Sequence, residues 1–426
     1  MTFEHRIAPP VVVMKFGGTS MGDVDRINSV ADIIAEYKER NTGEGIVVVV
    51  SAMAGETNRL TAMAKRCATV PSPREMDVLL SSGEQVSVAL LSIALQERGL
   101  LAKSFLAPQT KISTNNTHTN AQIQAIESDA IRDVLLRSGI PVVAGFQGVS
   151  LDSGDITTLG RGGSDITAVA LAAVLQARAC YIYTDVAGVF STDPRLCPEA
   201  RLLPQVAHEE MLEMASLGAK VLHTRAVYFA MRYKVPLVVL STFLGAFQAG
   251  RNGTNVVAEE ELMEQAVVTG ITHRLDEAQI AVSGMSSDIN SLSHLFDVLA
   301  QQDIYIDMIS QEFIGEDLVN VSLTVPDEQS DQALAIIRES VPALSANGVS
   351  VYRDIAKVSV VGIGMRYHTG VAARVFRVLA KAQIDVKMVN TSEIKISIMV
   401  ARKYCTMAVK VLHEEFFGQG ALRAAG

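Results

Sequence analysis

Six consecutive residues, Lys15-Phe16-Gly17-Gly18-Thr19-Ser20, follow the apolar run Val11-Val12-Val13-Met14. A cation, two glycines and two hydroxyls at the exit of a buried strand are groups suited to an anion. Glycine lets backbone N–H groups approach a ligand closely, and a helix starting near Asp23 adds its positive N-terminal end. Phosphate is the natural guest, although Lys15 precedes both glycines, the reverse of the common phosphate-binding loop. A plain tight turn is the other reading of the same residues. A second segment, Leu159-Gly160-Arg161-Gly162-Gly163-Ser164-Asp165, sets a guanidinium and a carboxylate among three glycines just before a helical pattern. Arg161 suits bidentate recognition of a carboxylate, while Ser164 can cap the helix and Asp165 can favour its first turn. A third segment runs from Thr184-Asp185 through Phe190 to Asp193-Pro194-Arg195 and leaves the end of a strand. Open α/β sheets bind ligands at such ends, and a solvated Asp-Pro turn is the alternative.

Elements that would position these segments alternate along the first 258 residues. Short apolar runs at Val11 to Phe16, Ile46 to Ser51, Pro141 to Phe146, Cys180 to Thr184 and Pro236 to Ser241 read as strands. Helical patterns fall at Val24 to Arg40, Arg74 to Arg98, Ala121 to Ser138, Ser164 to Gln176 and Ala219 to Tyr233. That alternation predicts a parallel α/β sheet with helices on both faces. Glycines at 245, 250 and 253, followed by Glu259, Glu260, Glu261 and Glu264, mark a boundary.

Beyond it the chain repeats once. Ala278 to Gly284 resembles Ala356 to Gly362, and each copy continues with a Phe-x-x-Leu-Ala helix, at Phe296 to Ala300 and Phe376 to Ala380. Ile304 to Ile309 then corresponds to Ile384 to Val389, Val319 to Val325 to Ile394 to Val400, and closing helices fall near Ser330 to Glu339 and Met407 to Phe417. Each copy reads as a small ferredoxin-like α+β unit.

Composition narrows the function classes. At 426 residues, two to four domains are expected. A formal charge of -9, with no long basic run, argues against a nucleic-acid partner. The 49% apolar content comes in runs too short for a membrane span, and the first ten residues lack an apolar signal core. The expected location is the cytoplasm. Cys67, Cys180, Cys197 and Cys405 are widely spaced, as reduced structural thiols would be. None of the eight histidines has metal-ligand spacing.

Taken together in this order, Lys15 to Ser20, Leu159 to Asp165, Thr184 to Arg195 and Gly218-Ala-Lys-Val-Leu-His223 resemble the motifs of the aspartokinases. The resemblance extends to the paired C-terminal units, which look like the ACT regulatory domains of that family. It implies an amino-acid-kinase fold, an open and mainly parallel sheet between helix layers, over residues 1–258. Two ACT-like units would follow at 266–345 and 350–426, with the strand pattern at 266–272 able to pair with the second. The implied reaction transfers the γ-phosphoryl of ATP, with Mg2+, to the side-chain carboxylate of L-aspartate. Its product, 4-phospho-L-aspartate, opens the route to lysine, threonine and methionine.

Carried over by position, Lys15 would stabilise charge on the transferring phosphoryl and Asp165 is the second expected catalytic residue, while Gly17, Gly18 and Ser20 would contact phosphate. Thr184, Asp185, Phe190, Arg195 and Lys220 match the nucleotide site. Thr57 and Glu84 match aspartate-contacting positions; Arg161 would clamp the α-carboxylate and Glu84 would receive the ammonium. Without the resemblance, Lys220 and Glu84 read as solvated helix residues and Thr57 as part of a cap. No protein ligand of Mg2+ is assigned.

An effector such as lysine or threonine would bind between ACT units of a homodimer or higher oligomer. Ser287, Asp288 and Asn290 in the first repeat, and His368, Thr369, Gly370, Asn390, Thr391, Ser392 and Glu393 in the second, are the expected effector positions. Asn290 stands where the second copy has Gly370, in a loop two residues shorter, so altered or weakened feedback is expected. In the kinase half, Thr224 and Ala226 depart from the family's usual His-Pro-Arg-Ser, and Phe190 stands where Tyr is common. The competing assignments are another amino acid kinase, acting on glutamate, carbamate or a nucleoside monophosphate, and an amino-acid sensor with an inactive kinase half.

Overall fold

The computed structural model describes residues 10–219, 221–244, 253–262 and 266–418. The chain forms two compact units. The first contains 10–190, 202–216 and the described part of 221–262; the second contains 191–201, 217–219 and the repeats.

In chain order the first unit runs β1 (Val11–Phe16), α1 (Val24–Arg40), β2 (Gly45–Val50), α2 (Glu56–Cys67), α3 (Pro73–Glu97), β3 (Ala102–Phe105), α4 (Ala107–Thr110), β4 (Ile112–Thr114), β5 (Ile123–Ile126), α5 (Asp129–Leu136), β6 (Ile140–Ala144), β7 (Gln147–Ser150), β8 (Ile156–Thr158), α6 (Gly163–Leu175), β9 (Ala179–Thr184), β10 (Gln205–Ala207), α7 (His208–Ser216), α8 (Thr224–Tyr233), β11 (Leu237–Ser241) and β12 (Thr254–Val257). Its eight-stranded sheet has the order β10-β12-β11-β9-β1-β2-β6-β3, and only the β11–β12 pairing is antiparallel. Every residue of β1 and β2 is buried, as expected for central parallel strands covered on both faces. On one side Ile27, Val30 and Ile34 recur at helical spacing along α1 and pack with Val12, Met14, Val48 and Leu91. Asp23 starts that helix by accepting the Arg26 N–H at 2.8 Å. A smaller sheet, β5-β4-β7-β8, stands beside the main one.

Among the described residues α3 is the one helix long and apolar enough to cross a membrane. It buries Asp77, Ser81, Glu84 and Ser87 inside the first unit.

The second unit adds β13 (Gly270–Arg274), β14 (Glu277–Ser286), α9 (Ile289–Ala300), β15 (Ile309–Phe313), β16 (Leu318–Pro326), α10 (Ser330–Ser340), β17 (Gly348–Tyr352), β18 (Ile355–Val361), α11 (Val371–Lys381), β19 (Met388–Thr391), β20 (Lys395–Ala401) and α12 (Cys405–Phe417). Two four-stranded sheets result, β13-β18-β20-β19 and β15-β16-β14-β17. β13, near the front of the first repeat, thus lies beside β18, and β17 lies beside β14. A buried ionic cluster joins the repeats: Lys357 on β18 contacts Glu277 Oε1 on β14 at 2.5 Å and also Asp307.

Several sequence expectations need correction. The helix expected over Ala121 to Ser138 is β5 followed by the shorter α5, because Gln122 and Gln124 alternate with Ala121 and Ile123. α2 was missed, and the helix expected from Ala219 starts only at Thr224, behind a His223 cap. Strands expected at Ile304 and Ile384 start later, at Ile309 and Met388. In both repeats the preceding helix ends on a left-handed residue, Asp303 or Gln383. The isoleucine that follows donates its N–H back to Leu299 or Leu379 and buries its side chain from a loop. Of the four thiols, Cys67 is exposed on α2 and the other three are buried. The boundary glycines 245 and 250, with Glu264, lie outside the described residues.

Candidate active site

Because β1, β2, β6 and β9 are parallel neighbours, their carboxyl ends share one edge of the sheet. That edge therefore gathers Lys15 to Gly18, Ser51 to Gly55, Gly145-Phe146 and Thr184-Asp185. A cleft of about 290 Å³ opens there, lined by Lys15, Gly18, Thr57, Glu84, Arg161 and Asp165 together with Ser51 to Gly55, Phe146 and Gly162 to Ser164. Two helix N-termini, those of α2 and α6, contribute to its wall and bring partial positive charge.

Lys15 is 9% exposed and its Nζ lies 2.5 Å from Asp165 Oδ1, a carboxylate only 8% exposed in the first turn of α6. The pair holds the Lys15 side chain extended at the glycine loop. Gly17 sits directly against it, since a Cβ there would lie 3.4 Å from Lys15 Nζ.

Glu84 lies across the cleft on α3, 4% exposed. The helix comes close because Gly83 has no side chain; a Cβ would meet the Ala52 Cβ at 2.8 Å. Glu84 Oε1 accepts the Ala52 N–H at 3.0 Å, whereas buried Oε2 has no hydrogen-bond partner among the described residues. Burial pushes its carboxyl up to about 7, against the lowering influence of the Ala52 N–H. An acceptor left unfulfilled at this depth is costly unless a ligand completes it.

Arg161 is exposed at the cleft mouth and has no ion-pair partner among the described residues. Its loop is braced from beneath by Arg225, whose Nη1 donates to Leu159 O at 2.6 Å and to Asn120 Oδ1 at 3.0 Å, and whose Nη2 donates to Ala121 O at 3.0 Å. His223 caps α8, accepting the Arg225 N–H at 3.3 Å on Nδ1, and burial holds its ring below the usual histidine range. The ring presses on Gly162, whose φ is +72°; a Cβ there would come within 2.3 Å of it.

Other expected site residues are placed differently. Ser20 is fully buried and its hydroxyl bonds Thr242 Oγ1 at 2.6 Å, which turns it from the cleft into a brace for β11. Thr184 and Asp185 share the binding edge outside the cleft lining, joined by a 3.2 Å hydrogen bond, and Phe190 pairs with Leu202. Arg195 falls in the second unit, where it pairs with Asp193 at 2.8 Å. Lys220 lies outside the described residues. Phe146 was missed; it lines the cleft with φ +69°, a conformation no sequence pattern signals in a bulky residue.

Of the expected effector positions, Asp288, Asn290, His368, Thr369, Gly370, Thr391, Ser392 and Glu393 are exposed. Ser287 N–H donates to Asp317 O at 2.9 Å, Asn390 lies opposite Ser397 in β20, and Glu393 meets Arg366 at 3.2 Å.

The model of the amino acid kinase family matches residues 10–241, and that of an ACT domain matches 358–416. The chain is 46% identical over 408 residues to an aspartokinase of Pseudomonas aeruginosa, covering 95% of this chain and 97% of that one. It is also 46% identical over 407 residues to aspartokinase 2 of Bacillus subtilis, with the same coverage. Its fold is similar to that of E. coli aspartokinase III in complex with aspartate and ADP, with a TM-score of 0.77 and 26% identity over 96% of this chain and all of that one. The lysine and aspartate complex of the same E. coli enzyme gives a TM-score of 0.74, with 28% identity over 96% of this chain and 99% of that one. By its family-model match and its near full-length relatives, the chain belongs to the aspartokinase family, an amino acid kinase unit followed by ACT repeats.

Proposed function

We propose that the cleft binds L-aspartate between Glu84 and Arg161 and directs its side-chain carboxylate toward the γ-phosphoryl of ATP held near Lys15, giving 4-phospho-L-aspartate. The observation that carries this is the buried, unpartnered Oε2 of Glu84 in the same cleft as an unpaired guanidinium and a buried ammonium. Such a set receives both charged ends of an amino acid and leaves a cation for the transferring group. An aspartate side chain, with a reference pKa of ~3.9, is already an anionic nucleophile at neutral pH, so no general base is required. The difficulty is one anion meeting another. Lys15, the N–H groups of the glycine loop and the N-termini of α2 and α6 offset that repulsion, and Arg161 fixes the direction of attack. Asp165 holds Lys15 in place before nucleotide arrives.

Magnesium bound with the nucleotide supplies neutralisation of phosphate charge. Asp185, an exposed carboxylate on the binding edge, fits an ion that keeps most of its ligands as water and phosphate oxygen. Nucleotide contacts are assigned to Gly17, Gly18, Thr184, Asp185, Phe190, Arg195 and Lys220, and Thr57 at the α2 N-terminus to the substrate. The ACT repeats are assigned to feedback by lysine or threonine and to homo-oligomer formation, for an enzyme working in the cytoplasm. ATP-dependent acyl phosphate, trapped as the hydroxamate, checks the assignment: product with aspartate and little with glutamate is expected. No product with aspartate would sink it.

A further inference from the structure

Asp77 is fully buried on α3 and is not used by the chemistry above. Its carboxylate accepts the Thr158 hydroxyl at 2.5 Å, the Thr119 N–H at 3.0 Å to each oxygen, and His118 Nδ1 at 2.7 Å. With a carboxylate as acceptor, the proton of that ring lies on Nδ1. These donors come from two segments remote in sequence, the last residue of β8 and the loop before β5. Glu84 follows Asp77 by seven residues, two helical turns and roughly 10 Å along the same face of α3. Arg161 follows Thr158 by three, and Asn120, next to Thr119, accepts from the same Arg225 that holds Leu159. Asp77 therefore ties the helix bearing the ammonium receptor to the loop bearing the carboxylate clamp.

We propose that Asp77, acting through Thr158 and His118, is a positioning residue that fixes the span between Glu84 and Arg161 and thereby selects an amino dicarboxylate of aspartate length. The inference rests on the substrate roles assigned to those two residues. A carboxylate serving only the core would, when loosened, lower stability and turnover for all substrates alike. A positioning carboxylate shifts one substrate and spares the other.

The test uses the full chain with Thr158→Val, which deletes one donor at nearly constant shape, and His118→Gln, which weakens another from the opposite segment. Thr158→Ser serves as the conservative rescue and Arg161→Lys as the control. Thr158→Val is expected to raise the aspartate KM about five- to tenfold, as loss of a hydrogen bond to a buried charge would. The ATP KM should stay within about twofold, the aspartate-to-glutamate ratio of kcat/KM should narrow, and Thr158→Ser should restore both. His118→Gln should move the same quantities in the same direction. If both variants lower Tm but leave the aspartate KM and the substrate ratio unchanged while Arg161→Lys raises that KM, the positioning role is wrong and the substrate assignment stands. If Arg161→Lys also leaves the aspartate KM unchanged, the substrate assignment fails and the inference fails with it.

Discussion

In the cleft, Lys15, Glu84 and Asp165 are each less than a tenth exposed, and each has a partner at 3.0 Å or closer. In the repeats, Asp288, Asn290, His368, Thr369 and Gly370 stand in solvent at the starts of α9 and α11. Burying charge without partners is expensive, so the cleft holds its groups only because they compensate one another or await a ligand. Solvated loops carry no such cost. The first region is organised by buried, mutually compensating groups, whereas the second presents its polar groups to solvent.

The two repeats also differ from each other. α11 begins after Gly370, which has φ +92° and open space around it, while α9 begins at Ile289, so Asn290 lies inside the first turn. Asn290 therefore does not share the left-handed conformation of Gly370. Its amide instead donates to Asp288 Oδ2 at 2.9 Å and to Oδ1 at 3.2 Å, so that carboxylate already has a partner. If an effector binds at this loop, the Asn290–Asp288 contact would weaken control through the first repeat.

Substitutions should separate these regions by size of effect. Lys15→Ala is expected to cost about 10²–10³ in kcat with little change in the aspartate KM, because it removes charge stabilisation needed at transfer. Equal losses in binding and turnover would instead make Lys15 a substrate anchor. Gly162→Ala forces a left-handed alanine into the His223 ring and should lower stability by about 1–3 kcal/mol, with a raised aspartate KM from the displaced Arg161 loop. Thermal unfolding and kinetics together check it. Smaller still, Gly370→Ala meets no neighbour and should cost about 1–2 kcal/mol through backbone strain alone, while Asn290→Ala should be nearly neutral in stability. Basal activity should survive both. Asn290→Ala should increase sensitivity to lysine or threonine in inhibition assays by freeing Asp288, and an unchanged response would remove the contrast between the repeats.

Much of the cleft was legible because its chemistry sits in short segments at the ends of strongly patterned elements: Lys15 to Gly18 at the end of β1, Arg161 to Asp165 at the start of α6. Glu84 was visible only through family resemblance, since its burial depends on α3 approaching Ala52, a tertiary fact. The burial of Ser20 was hidden for a similar reason; its partner Thr242 is 222 residues away. The repeat was readable from its parallel motifs, as was a strand near 266–272 able to pair with the second unit, where β13 does lie beside β18; the pairing of β17 with β14 was not. No local pattern encodes that. Likewise β5 lay within a run that also suits a helix, and two alternating glutamines were its one local signal.

The buried carboxylate of Glu84 gives the most direct test of the account. Aspartate must meet it ionised, and its carboxyl is pushed up to about 7, so below that pH an added proton competes with the substrate ammonium. Measured between pH 5.5 and 8.5, taken as roughly equal spans about that midpoint, kcat/KM for aspartate should fall toward tenfold per unit below ~7 and level off above it. The KM for ATP should stay flat. Glu84→Gln should raise the aspartate KM by about 10–100-fold and abolish the inflection. A wild-type profile with no break near 7, or the same break retained in Glu84→Gln, would contradict Glu84 as the receptor of the substrate's ammonium.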